Sequence, residues 1–139
     1  MSFRMCLWAP ALLLIGGCID DDQPPTQADR VGVGAVCESN ADCVDPDVDA
    51  GDAKVPVCLK QFKGGYCGLE GCTEDEACPE GAVCVVHTDG INYCFRRCVD
   101  KKNECNENRT PSVAANCSAN IFFAELTTTG KTCVPPSGQ

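Results

Sequence analysis

Four cysteines with a nearly constant opening spacing occur three times along this chain. In each set, five or six residues separate the first cysteine from the second, and the segment before the third cysteine varies in length. Fixed spacing beside a variable segment is typical of small units that disulfides close and that accept insertions at their surface. The sequence therefore predicts a repeat of three units, at 37–67, 72–94 and 98–133. Their twelve cysteines are Cys37, Cys43, Cys58, Cys67, Cys72, Cys78, Cys84, Cys94, Cys98, Cys105, Cys117 and Cys133.

The central unit is expected to contain a β-hairpin. Two segments rich in Val, Ile, Tyr and Phe, 82–87 and 91–95, are typical of strands. Asp89 and Gly90 lie between them and suit the two positive-φ positions of a type I′ turn. The sequence therefore predicts an antiparallel ribbon with a two-residue turn.

That hairpin limits the disulfide pairing. In the register of a two-residue turn, Cys84 faces Phe95, so the side chains of Cys84 and Cys94 would point to opposite sides of the ribbon. If the bridges stay inside the unit, Cys84 is then expected to bond to Cys72 or Cys78. We favour Cys72 with Cys84 and Cys78 with Cys94, because interleaved bridges would pin both faces of the hairpin to the preceding loop.

The N-terminus has the composition of a secretory signal peptide. It combines Arg4 with an apolar run from Leu7 to Ile15, and small residues follow. The apolar run is about half of the roughly 20 residues that cross a bilayer, which favours a signal peptide over a membrane span. The signal peptide is expected to cover residues 1–17.

Residues 14–18, LIGGC, resemble the bacterial lipobox. The resemblance implies that the signal is cut before Cys18 and that Cys18 carries a diacylglyceryl thioether, a lipid anchor that holds the chain to a membrane. The alternative is an ordinary Cys18 beside a conventional cleavage site. The count of cysteines favours lipidation: of fourteen, Cys6 lies in the signal and Cys18 would carry lipid, which leaves an even twelve.

The rest of the chain is acidic and poor in aromatic side chains. The formal net charge is −9, and loss of Arg4 with the signal would make it −10, so binding to nucleic acid is not expected. Residues 18–36 are polar, with paired prolines, and are expected to form a disordered tether. Residues 37–139 have few large apolar residues, so the fold class is expected to be small and disulfide-rich, with short β-hairpins, long loops and little helix.

The central unit also contains Cys78-x-x-Gly81-x-x-Cys84 and a later Tyr93-Cys94. This pattern is similar to that of cysteine-rich lipoproteins and secreted proteins abundant in myxobacteria. The resemblance implies a location in the bacterial cell envelope but brings no catalytic motif. Because Ile19, rather than Asp, follows Cys18, the resemblance implies sorting to the outer membrane, on its periplasmic or surface face.

Four carboxylates, Asp45, Asp47, Asp49 and Asp52, alternate in a loop of the first unit and are a candidate metal site for calcium. With Asp45 as position one, an EF-hand would need Gly at Ala50 and Glu at Pro56, so an EF-hand is excluded. A solvated acidic loop is expected, with weak calcium binding as the alternative. No other cofactor is expected, because cysteines of an exported chain are expected to form disulfides instead of binding zinc or an iron–sulfur cluster.

No enzyme activity is expected. His87 is the only histidine, and the sequence offers it no evident nucleophile or carboxylate partner at the spacing of a catalytic triad. The sequence favours a non-enzymatic lipoprotein that presents stapled loops for adhesion or ligand contact, with an unidentified protein or glycan partner. The alternatives are a protease-inhibitor-like module, with loop 55–65 presenting Lys60 and Lys63, and a calcium-dependent structural protein.

Overall fold

The computed structural model describes residues 24–43, 55–99 and 104–138. They contain one short helix, α1 (Gln27–Arg30), and 3₁₀ turns at Asn40–Cys43, Asp75–Ala77 and Pro111–Val113. The strands are β1 (Val57–Cys58), β2 (Cys67–Gly68), β3 (Ala82–Val86), β4 (Asn92–Cys98), β5 (Asn116–Ser118), β6 (Phe122–Phe123) and β7 (Lys131–Val134). The predicted small disulfide-rich fold with β-hairpins and little helix is confirmed. In the described ranges, no helix has the length and apolar character needed to cross a bilayer.

Six disulfides join the twelve cysteines, and each lies within one of the three predicted sets. In every set the first cysteine bonds to the third and the second to the fourth. The Cα atoms of the bonded pairs lie 5.2 to 5.9 Å apart, as disulfide geometry requires. The bridges are Cys37–Cys58, Cys43–Cys67, Cys72–Cys84, Cys78–Cys94, Cys98–Cys117 and Cys105–Cys133.

The central hairpin pairs β3 with β4, but its predicted register was wrong by one residue. Cys84 lies directly opposite Cys94, so the two side chains share a face of the sheet. The loop contains three residues, 88–90, instead of two: the His87 N–H donates to the Ile91 carbonyl at 3.2 Å, and the Gly90 N–H donates to the His87 carbonyl at 3.0 Å. Gly90 has a φ of 84°, which suits the last position of a three-residue loop.

The favoured pairing of the central unit is nevertheless confirmed. Cys84 and Cys94 each bond to a cysteine of the preceding loop, Cys72 and Cys78, and not to each other. Their backbone N–H groups also point away from each other, since Cys84 N–H donates to Asp75 Oδ1 and Cys94 N–H to the Leu69 carbonyl. The loop that carries the first two cysteines is therefore stapled across one face of the hairpin.

The other two sets repeat this arrangement. Cys58 faces Cys67 across β1 and β2, and Cys117 faces Cys133 across β5 and β7. In all three sets, the third and fourth cysteines are opposite each other on an antiparallel pair. Each then bonds to a cysteine that precedes the pair in sequence, so the repeat in sequence is also a repeat in structure.

The three sets pack together. A five-stranded sheet runs in the order β5-β7-β4-β3-β6, so the third set supplies strands on both sides of the central hairpin. The first set covers the hairpin, since Phe62 and Tyr66 pack against Val83, Tyr93 and Phe95 in one buried cluster. Two smaller clusters, made mainly of the cysteines of the first and third sets, lie beside this shared cluster. The large apolar side chains are concentrated in the shared one.

Residues 24–36 correct the prediction of a disordered tether. Thr26 begins α1 with a capping box, in which the Asp29 N–H donates to Thr26 Oγ1 and the Thr26 N–H donates to Asp29 Oδ2 at 2.8 Å. Ala28, Val31 and Val33 are buried in the main cluster. The described part of the predicted tether therefore belongs to the folded body, because three small apolar side chains find partners on the sheet.

Two contacts dock this segment at the base of the central hairpin, the end opposite its turn. The Ala28 N–H donates to the Glu80 carbonyl at 2.7 Å, and Asp29 Oδ1 pairs with Arg96 Nε at 2.7 Å. Thr26 lies directly on Gly81, where a Cβ would stand 2.3 Å from Thr26 Oγ1. A glycine is required there by the close approach as well as by its φ of 94°.

Candidate functional site

The predicted lipidation and calcium sites lie outside the described residues. Cys18 precedes residue 24, and Asp45, Asp47, Asp49 and Asp52 fall between residues 43 and 55. The lipid anchor and weak calcium binding therefore stay predictions.

The cysteines form three tight clusters, each with sulfur atoms within 4.8 Å of one another. Every sulfur in them is bonded in a disulfide. Metals bind the thiolate form of cysteine, which a disulfide does not provide. In the oxidised chain these cysteine clusters therefore hold the fold together as disulfides and offer no thiolate to a metal.

An aromatic cluster fills the space between the first set and the central hairpin. Phe62 is at its centre, with ring centroids 5.1 Å from Tyr93, 5.3 Å from His87, 5.7 Å from Phe95 and 6.0 Å from Tyr66. These contacts are edge-to-face, the arrangement that aromatic quadrupoles favour. Tyr66 and Tyr93 thus belong to the core.

A polar group at the edge of this cluster joins the hairpin turn to the first set. Tyr93 Oη donates to Asp89 Oδ2 at 2.8 Å and accepts from Gln61 Nε2 at 3.0 Å. His87 Nδ1 lies 3.2 Å from the same carboxylate oxygen. The three-residue loop brings Asp89 back beside His87, a contact that the sequence analysis did not anticipate.

The pKa shifts of Asp89 and Tyr93 favour a structural role, in which their hydrogen bond holds the hairpin turn in place. Burial acts to raise the pKa of Asp89, but hydrogen bonds from the Ile91 N–H, Tyr93 and His87 outweigh it and lower the pKa. Burial raises the pKa of Tyr93, so its phenol stays protonated and donates to the carboxylate. The His87 ring packs against Phe62 and Tyr93, with only 13% of its side chain exposed.

A second buried polar group is centred on Arg109. Its guanidinium donates to the backbone carbonyls of Val113 at 2.8 Å, Lys63 at 3.0 Å, and Gly34 and Gly65 at 3.1 Å. Burial lowers the pKa of Arg109. One side chain therefore ties the third set to the first set and to the N-terminal segment. Sequence reasoning missed this residue, and no local motif marks it.

Tyr66 completes this junction. It is fully buried, its hydroxyl accepts the Arg96 N–H at 3.1 Å, and the Arg109 guanidinium carbon lies 5.9 Å from its ring centroid. Burial raises the pKa of Tyr66 to about 12, although the Arg96 hydrogen bond and the positive charges of Arg109 and Arg96 act to lower it.

The predicted inhibitor loop forms a folded turn. Lys60 and Lys63 are exposed beside a shallow groove of about 550 Å³ that Glu38 also lines. The Lys63 N–H donates to the Pro136 carbonyl at 2.9 Å, and its carbonyl accepts from Arg109. The Lys63 backbone is therefore already bonded within the chain.

The end of the sheet beside the hairpin turn leaves large apolar side chains in solvent. Val86 lies opposite Phe122 across β3 and β6, and these residues are 40% and 80% exposed. Ile91, just after the turn, is 44% exposed. Ile91 points to the opposite face from Val86, because the cross-strand partner of Val86 is Asn92. We refer to Val86 and Phe122 as the tip surface.

Comparisons with protein-family models, curated proteins and solved structures found no match to this chain.

Proposed function

We propose that this chain is a non-enzymatic lipoprotein, anchored by lipid in the outer membrane of a bacterial cell envelope. Its tip surface contacts a protein or glycan ligand. The observation that carries the proposal is the exposed Phe122 beside Val86 on a rigid, disulfide-stapled sheet. Aromatic side chains are enriched at the centres of binding interfaces, where rigid presentation lowers the entropy lost on binding.

Several features support the location. Disulfides form and persist in exported proteins, and all twelve cysteines between residues 37 and 133 are bonded. The lipobox-like residues 14–18 supply the route of export and the anchor. A lipid at Cys18 would hold the body at a membrane surface.

The arrangement of the titratable groups supports a non-enzymatic role. A nucleophilic mechanism needs a base within hydrogen-bond reach of a hydroxyl or thiol nucleophile. In the described part of the chain, His87 contacts Asp89 and aromatic rings, and no Ser, Thr or Cys side chain is hydrogen-bonded to it. The polar side chains of this cluster support the hairpin turn.

The experiment that tests ligand contact uses the lipid-free chain from residue 19, fluorescently labelled, and intact cells of the producing strain from which its gene has been deleted. We expect saturable binding that Phe122→Ser weakens by about tenfold, the usual size for an aromatic residue central to an interface. Val55→Ser removes an apolar side chain that is 46% exposed outside the tip surface, and it should leave binding unchanged. Equal loss in both variants, or no saturable binding, would contradict a specific role for the tip surface.

The inhibitor alternative has a separate test. A protease binds its substrate as an extended strand and uses the substrate backbone for hydrogen bonds. The Lys63 backbone is engaged by Pro136 and Arg109, which argues against that role. Inhibition of trypsin-like proteases that is lost in Lys60→Ala and Lys63→Ala would favour the inhibitor over the ligand-contact proposal.

A further inference from the structure

The chain enters the folded body at the base of the central hairpin. Pro24 lines a groove of about 620 Å³ together with Gly81, Arg97, Val99 and Lys131. The Arg97 N–H donates to the Gly81 carbonyl at 2.8 Å, so this groove lies where β3 begins. The tip surface is at the other end of β3, about 17 Å away at the usual rise of a strand.

The distance between the predicted anchor and this groove is short. Six residues, 18–23, separate the start of the mature chain from Pro24. A fully extended chain of that length spans about 20 Å at most. A lipid at Cys18 would therefore keep Pro24 within that distance of the membrane surface.

We propose that the face formed by Pro24, Arg97, Val99 and Lys131, here called the base face, rests on the phospholipid headgroup layer and directs the tip surface away from it. The proposal rests on the lipid anchor of the proposed function. In this arrangement the lipid anchor sets the orientation of the folded body as well as its place at the membrane.

The side chains of the base face suit a headgroup layer. Val99 is 82% exposed and offers an apolar contact at the interface. Lys131 is exposed, and its charge pairs with phosphate. Arg97 is 45% exposed and contributes less, because its Nη2 already lies 3.8 Å from Asp75 Oδ2, and Asp29 and Glu104 also line the groove. Arg97 is also held in place, since its Nη1 donates to the Thr129 carbonyl at 2.9 Å.

The acidic net charge of the chain opposes contact with an anionic surface, and the short tether offsets this effect. Free association with an anionic surface would be weak for the chain from Cys18 onward, whose formal charge is −10 without Arg4. A short tether changes the balance, because it holds the base face at a local concentration in the millimolar range. Weak headgroup contacts are then sufficient to select one orientation.

Lysine reactivity tests the orientation. Chain 18–139 with its disulfides formed is coupled through Cys18 to a maleimide phospholipid in equimolar phosphatidylcholine and phosphatidylglycerol vesicles. An amine-reactive reagent is added, and peptide mass spectrometry gives the rate at each lysine. The reference is the uncoupled chain, with Cys18 blocked, beside the same vesicles.

We expect coupling to slow Lys131 by about fivefold or more, as burial against a surface at high local concentration implies. Lys60 and Lys63 line a different groove, which shares no residue with the base face, and their rates should not change. An unchanged Lys131 would overturn the proposal, and so would equal slowing of all three lysines.

A reversed anchor provides the matched control. A chain that carries Cys18→Ser and Thr88→Cys is coupled to the same vesicles through residue 88, in the hairpin turn. The base face then points away from the membrane, and Lys131 should react at the rate of the uncoupled chain. If Lys131 reacts slowly with the amine reagent in both coupled chains, the assignment of the base face is overturned. The chemical anchor makes these results independent of natural lipidation, which the mass of the native N-terminal peptide decides separately.

Discussion

Cys84 and Cys94 stand opposite each other across the central hairpin, yet neither bonds to the other. Each reaches back to the loop that precedes the hairpin, and the same relationship recurs in the first and third sets. A bridge between directly paired strand residues would close only the hairpin itself. The observed pairing staples a third segment over the sheet and so fixes a unit that has little apolar core of its own.

The pairing predicts an asymmetry between two double variants. Cys78→Ala with Cys94→Ala removes one bridge, of sequence separation 16, and should lower the free energy of unfolding by about 3 kcal/mol through the closed-loop entropy. Cys84→Ala with Cys94→Ala removes one partner from each of two bridges and should destabilise the chain further.

Denaturant unfolding and thiol titration of the folded chains check this prediction. The first variant should have no free thiol among the residues from 37 to 133, and the second should expose Cys72 and Cys78 to titration or join them in a non-native bridge. Equal stability of the two variants would be inconsistent with the observed pairing.

Arg109 is predicted to be the most important single polar side chain for packing the three sets together. Arg109→Ala would leave four backbone carbonyls without their donor, which should cost about 2 to 4 kcal/mol. Arg109→Lys should recover only part of this, because an ammonium group lacks the planar fork of donors. The exposed Arg30, which donates to the Pro25 carbonyl, is the control.

Equilibrium unfolding in denaturant, with the disulfides intact, measures these differences. Arg30→Ala should change the free energy of unfolding by less than about 0.5 kcal/mol, as is usual for surface positions. A loss at Arg109 no larger than the loss at Arg30 would show that the three sets hold together without this residue.

Tyr66 predicts a loss of stability at alkaline pH. Burial raises its pKa to about 12, against 10.0 for an exposed tyrosine. The unfolded chain therefore releases this proton at lower pH than the folded chain. The stability contributed by the buried phenol is fully present below pH 10 and declines as the pH rises from about 10 to about 12.

Melting temperatures across that range, compared with Tyr66→Phe, check the prediction. Tyr66→Phe should lower the stability near neutral pH, because the Arg96 N–H loses its acceptor, and should decline less steeply above pH 10. Parallel curves for the two proteins would place the alkaline transition on another group.

Gly81 predicts how the N-terminal segment is held. Gly81→Ala would place a Cβ against Thr26 and would also strain a backbone with a φ of 94°. Gly71→Ala has a similar φ of 79° but meets nothing within 4 Å, so it carries the backbone cost alone, about 1 to 2 kcal/mol.

Amide hydrogen exchange separates the two effects. In Gly81→Ala, the amides of Ala28 and Val33 should lose protection while those of β4 keep theirs, because the segment is displaced from the sheet. Gly71→Ala should leave Ala28 and Val33 protected. Identical exchange in the two variants would mean that Thr26 adjusts without moving the segment.

The sequence predicted the disulfide framework well and the hairpin register poorly. Both results have a physical reason. The spacing of cysteines survives insertions, so sets of four were recognisable, whereas Asp89-Gly90 fits a two-residue turn as well as the end of a three-residue loop. One extra loop residue moved every side chain of β3 to a new partner.

The missed contacts are those between distant segments. Ala28, Val31 and Val33 are small apolar residues in a polar stretch with paired prolines, and only the sheet beneath them makes their burial possible. Arg109 has four backbone acceptors in segments from Gly34 to Val113, and no spacing of residue types records such a set. Asp89 became a partner of His87 only through the geometry of the turn.

The measurement that tests the central claim most directly is mass spectrometry of the non-reduced protein and its peptides from the native membrane fraction. We predict an N-terminus at Cys18 that carries acyl mass, together with peptides linked first to third and second to fourth cysteine in every set. An unacylated Cys18 would contradict the lipid anchor. Reduced cysteines, or bridges between different sets, would contradict the disulfide-stapled fold on which the proposed function depends.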